Sequence, residues 1–150
     1  MSTATAEIPD LWPETIQPHS KQTTPKSILE RQADFLGKRT QELVTGEVVI
    51  RAIGVRLFHD FYFRAPQLDN YRFLAFTVVQ LQHELYPVAI VEEITHFPED
   101  ASAQQEYLNE KVFGKECKTE TDFTERLRQL FQHERTVRII DSLIAQSAGE

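Results

Sequence analysis

From about residue 43 to residue 94, apolar and polar residues tend to alternate; on either side, apolar residues return every three to four positions. Alternation sends successive side chains to opposite faces of a strand, and the longer rhythm draws one stripe along a helix. The pattern predicts a sheet between helices. Thr24-Pro25 opens the first helix, with Thr as N-cap and Pro at the first helical position. Ile28, Leu29, Phe35 and Leu36 form its stripe, so the helix is predicted over about 25–41.

Four strands follow, at about 43–53, 55–65, 71–81 and 86–94. Gly54 separates the first two, as a hairpin turn or as a bulge in one long bent strand. Ala65 to Asn70 has the Pro and Asp-Asn chemistry of a loop. Pro87 lacks a ladder donor, which places strand four at a sheet edge. Beyond His96-Phe97-Pro98 a helix is predicted over about 102–113, opened by a Ser102/Gln105 capping box. A last helical region starts at a Thr121 cap, with stripes Phe123, Leu127, Leu130, Phe131 and then Val137, Ile140, Leu143, Ile144. It is one long helix or two broken near His133-Glu134. The fold class is α+β: one helix, a four-stranded antiparallel meander, then two or three helices packed mainly on one sheet face.

Strict parity divides the two middle strands. Val55, Leu57, His59, Phe61, Phe63, Tyr71, Phe73, Ala75, Thr77, Val79 and Leu81 fall on one face, predicted to be the core; Val88, Ile90 and Ile94 join them from strand four. The other face mixes charge with aromatics: Arg56, Phe58, Asp60, Tyr62, Arg64, Arg72 and Phe76, along with Leu74, Val78 and Gln80. A C-terminal helix covers this second face, or it is a protein–protein surface, or it lines a small-molecule pocket. Interfaces favour Tyr, Phe and Arg around an apolar centre.

Composition narrows the classes. A chain of 150 residues with 41% hydrophobic residues suits one ordinary domain, expected over 25–150. Residues 1–24, with Pro9, Pro13 and Pro18, are read as an arm. Within it Leu11 and Trp12, the only tryptophan, clasp back onto the domain or act as a short docking motif. Net charge is −7 and no basic run occurs, which argues against nucleic acid as a partner. No apolar run approaches the roughly 20 residues that span a bilayer, and MSTATAEIPD has neither a basic nor an apolar leader region. One cysteine forbids an intrachain disulfide. A soluble, cytoplasmic protein is expected.

Catalytic signatures are missing. His19, His59, His83, His96 and His133 stand more than ten positions apart, without HxH, HExxH or CxxC, so no metal site is expected. Five glycines form no phosphate-cradling loop, and no GxSxG elbow occurs, so no cofactor is expected. Cys117, between Lys115 and Lys118, is read as an inert linker thiol. His59 and Asp60 point to opposite faces and cannot form a dyad. The reading is a non-catalytic interaction module, such as an adaptor, an inhibitor or immunity-type partner, or an assembly factor. It would bind a protein or a second copy through Arg56, Phe58, Asp60, Tyr62, Arg64, Arg72, Phe76 and Trp12. The alternative is a small-molecule-binding domain or enzyme with a pocket around His59, with Thr77 as a second interior polar group.

Overall fold

The computed structural model describes residues 8–18, 22–92, 102, 103, 106 and 116–149. Helix α1 (Pro25–Arg39) is followed by strands β1 (Thr45–Ile53), β2 (Arg56–Ala65), β3 (Tyr71–Leu81) and β4 (Val88–Val91), then helices α2 (Glu120–Phe131) and α3 (Glu134–Gly149). The sheet is an antiparallel meander in the order β1-β2-β3-β4. This is the α+β arrangement that the apolar pattern predicts. The helix expected over 102–113 lies largely outside the described residues, as do residues 93 and 94 of strand four.

Local chemistry sets the element ends. Thr24 Oγ1 accepts from Ser27 N at 3.0 Å while Ser27 Oγ accepts from Thr24 N at 3.1 Å, a reciprocal cap that starts α1. At its far end, the Thr40 hydroxyl accepts from Val44 N (3.1 Å) and donates to Val44 O (2.8 Å), tying the helix exit to the sheet. Gly54, at φ +60°, and Val55 form a two-residue hairpin turn, because Ile53 pairs directly with Arg56. The hairpin, not the bent strand, is therefore the answer at Gly54. The C-terminal region is two helices. Thr119, not Thr121, caps α2 through Asp122 N (3.1 Å), and His133 Nδ1 accepts from Arg135 N (3.1 Å), which starts α3 afresh.

Register carries the main correction. Phe61 pairs with Phe76, but Tyr62 pairs with Leu74, so Ala75 is an extra residue in β3. One inserted residue reverses face parity from there onward. Phe76, Val78 and Gln80 consequently join His59, Phe61 and Phe63 on the inner face. Thr77, Val79 and Leu81 move to the outer face with Phe58 and Asp60. Contrary to strict alternation, Phe76 thus does not share a face with Tyr62, and Thr77 does not share one with His59.

The inner face holds the main core. Ile28 and Leu29 of α1, Phe123, Leu127 and Leu130 of α2, and Leu143 of α3 pack there with Phe61, Phe63, Phe76, Val78, Val88 and Ile90. Phe61 and Phe76 stack at 5.1 Å, and Phe131 leans on both at 5.7 and 5.8 Å. Ala33 of α1 sits directly on the β1 backbone: a Cβ on Gly46 would lie 2.6 Å from Ala33 Cα. Phe35, expected in the α1 stripe, is exposed instead, with Arg31 over its ring at 5.3 Å. Strand β4 lies at the sheet edge as Pro87 requires, and Cys117 caps it through two backbone bonds to Val88 (2.7 and 2.9 Å). No helix among the described residues is long and apolar enough to cross a membrane.

Candidate functional site

Polar side chains gather at two buried points on opposite faces of β2. On the outer face Asp60, 4% exposed, accepts two bonds from Arg51, Nε to Oδ2 at 2.8 Å and Nη2 to Oδ1 at 3.1 Å. Thr77 Oγ1 donates to Oδ1 at 2.7 Å. The paired arginine fork and the hydroxyl satisfy a carboxylate that burial alone would disfavour. The Arg51 guanidinium also lies 5.2 Å from the ring of Phe58, which is fully buried with Val79, Ala89 and Val91. Parity in β2 sets Asp60 beside Arg56 and Arg64, but its partner comes from β1. The hairpin register, with Ile53 opposite Arg56, puts Arg51 on that face; fixing the Gly54 turn first would have found it.

On the inner face His59 is buried, and its Nε2 lies 2.7 Å from Gln80 Oε1. Gln80 Nε2 donates to Glu84 O at 2.8 Å, which turns the amide oxygen toward His59. His59 Nε2 is therefore the donor, and buried Nδ1 is an acceptor without a hydrogen-bond partner. Burial lowers the His59 pKa from 6.5, against the opposing pull of the Gln80 bond. The ring is neutral at physiological pH and closed into the core. It lines none of the three clefts described below.

The outer face changes character toward the β2–β3 loop. Arg72 lies over the Tyr62 ring at 4.3 Å and pairs with Glu47 at 3.2 Å. Arg64 reaches Asn70 Oδ1 at 2.6 Å. Tyr62, Arg64 and Leu74 are half-buried and Arg72 is exposed, whereas Phe58 and Asp60 are buried and Arg56 is partly so. The eight residues singled out by sequence therefore separate. Tyr62, Arg64 and Arg72 stay together at an accessible end, Phe58 and Asp60 are buried on the same face, and Phe76 is in the core behind it.

Trp12 stands apart in the arm. Leu11 is 85% exposed and Trp12 75%, with Ile8 and Ile16 also exposed, so the predicted clasp onto the domain does not form. The arm has its own turns: Asp10 Oδ1 accepts from Trp12 N (3.0 Å), and Pro13 O accepts from Ile16 N (3.1 Å). Ile8 and Ile16 were not singled out by sequence, although they lie within four residues of Leu11 and Trp12 along the chain.

Two adjoining clefts, about 590 and 570 Å³, run between β3 and α3 and share Tyr71, Phe73 and Ile139. A shallower cleft between α1 and β1 is lined by Glu30, Asp34 and Glu42. Among the described residues no group of three or more His, Cys, Asp or Glu is placed to hold a metal ion. Cys117 is buried, and burial raises its thiol pKa, contrary to activation by Lys115 and Lys118. Comparison with known proteins finds no match: no family model, no curated protein and no solved structure corresponds to this chain.

Proposed function

We propose that the chain is a non-catalytic, soluble and cytoplasmic protein-interaction module, and that the arm is its leading recognition element. The observation that carries this is the exposure of Ile8, Leu11, Trp12 and Ile16 together. Scattered apolar residues on a surface need no explanation, but four large exposed ones within nine positions of the chain are a density of apolar side chains that water disfavours. Trp and Leu supply much area for little side-chain entropy, and the turns at Asp10 and Pro13 reduce the cost of ordering the arm on a partner. The accessible end of the outer face, with Tyr62, Arg64, Arg72 and Leu74, is a second surface of the aromatic–arginine kind. The buried network around Asp60 satisfies itself and His59 is closed into the core beside Gln80, which supports a scaffold role for both.

The test compares full-length baits in an extract of the source cells, with recovered proteins quantified by mass spectrometry. Leu11→Ala/Trp12→Ala is expected to lower recovery of the principal partner roughly tenfold or more, while circular dichroism stays native. Tyr62→Ala/Arg72→Ala measures the second surface in the same experiment. Equal recovery by the arm variant and the wild type would refute the arm as recognition element.

A further inference from the structure

We infer that the arm of one copy seats in the β3–α3 groove of a second copy, reciprocally, so that the chain self-associates by arm exchange. This rests on the arm being a recognition element, and it names the partner. The groove has an apolar floor of Leu68, Tyr71, Phe73, Ile139 and Leu143. Its charged rim is Arg135 and Arg138, with Glu92 the one carboxylate that lines it among the described residues. The arm over residues 8–16 carries the opposite character: Ile8, Leu11, Trp12 and Ile16 between the acids Asp10 and Glu14, and no base. Apolar side chains thus face an apolar floor while acids face arginines. Arg138 already pairs with Glu134, but that pair is solvent-exposed and gives way readily.

Length also matches. The floor follows α3 from His133 to Gln146, about 20 Å at ~1.5 Å per helical residue. Ile8 to Ile16 spans at most about 26 Å when extended, at ~3.3 Å per residue, and the Pro13–Ile16 turn shortens that. Within a single copy the described part of the arm does not meet the groove: Leu11 and Trp12 are exposed, and no described arm residue lines either cleft. Each copy offers one arm and one groove, so two copies close on a twofold axis and leave neither open.

Trp12 is the only tryptophan, so its fluorescence reports the arm alone. The full-length chain is followed by sedimentation and by Trp12 emission over a dilution series. The expected result is a concentration-dependent dimer, with emission shifting to the blue as it forms. Arg138→Glu is expected to weaken association roughly tenfold, as is Asp10→Arg/Glu14→Arg. Mixing these two variants makes both arm–groove pairs complementary again, one as in the wild type and one with the charges exchanged, and recovers association, which a folding defect would not do. A monomer at every concentration overturns the inference. So does a dimer in which Trp12 emission stays put, or a blue-shifted emission that ignores concentration, since the arm then folds onto its own groove. A monomer that still loses its principal partner with Leu11→Ala/Trp12→Ala overturns arm exchange and leaves the arm as a recognition element. Unchanged partner recovery by that variant refutes the broader reading.

Discussion

Removal of the Asp60 carboxylate tests whether the outer-face network holds the sheet together. Asp60→Ala deletes two bonds from Arg51 and one from Thr77. The two losses differ because their surroundings differ. The Arg51 side chain is 41% exposed, so its head returns to water, and the exposed half of the pair contributes about 1 kcal/mol at most. Thr77 is 1% exposed and is left with a buried hydroxyl lacking this acceptor, which costs about 1–3 kcal/mol. Relief from desolvating the carboxylate offsets part of both. The net expectation is a loss of about 2–3 kcal/mol, which lowers the urea midpoint by about 1 M at a slope near ~2 kcal/mol/M. Thr77→Val alone is expected to cost about 1 kcal/mol, and the double variant no more than Asp60→Ala, a coupling of about 1 kcal/mol. Urea titration followed by far-UV circular dichroism measures all four corners of the cycle. A loss under about 0.5 kcal/mol for Asp60→Ala, or additive single losses, would show that the network contributes nothing as a unit.

Two further outcomes follow from the inner face. Burial lowers the His59 pKa below its unfolded value of 6.5, so between those two values the unfolded chain binds more protons than the folded one. Stability therefore rises with pH through that window, by up to about 1.4 kcal/mol per pH unit, and the His59 contribution levels off above 6.5. Midpoints measured from pH 5 to 8 check this against His59→Gln; identical slopes in the two proteins would sink it. Phe76→Ala is expected to cost about 3–5 kcal/mol because Phe76 is fully buried between Phe61 and Phe131, and Tyr62→Ala about 1 kcal/mol because Tyr62 is half-buried. Comparable losses in a thermal melt would contradict the inserted residue at Ala75.

Element types were readable because each has a local cause. Thr24-Pro25 caps a helix whatever surrounds it, and Pro87 just before β4 pointed to a sheet edge, whereas Gly54 suited a hairpin or a bulge and only the pairing of Ile53 with Arg56 decides for the hairpin. The candidate site was less readable, and one residue accounts for most of that. Parity holds only while pairing is unbroken, and the extra residue Ala75 exchanges the two faces over the second half of β3. Phe76 and Thr77 change sides for that reason alone. Nothing in Leu74-Ala75-Phe76 marks the insertion, because all three are apolar and suit either face. Partners were equally hidden: Arg51 and Gln80 lie 9 and 21 positions from the residues they bind.

The amino-acid sequence by itself determined the helix–meander–helix order, the placing of β4 at an edge, the loop between β2 and β3, and the absence of familiar catalytic spacings. These depend on periodicity, caps and turn residues, which act over a few positions. Tertiary structure alone decided which side chains meet. A bulge set the second half of β3 facing the other way, His133 split the last helix by capping α3, and packing buried Phe58 while leaving Trp12 in solvent. Burial and register are properties of the assembled sheet, so they emerge only when residues far apart in the chain are brought side by side.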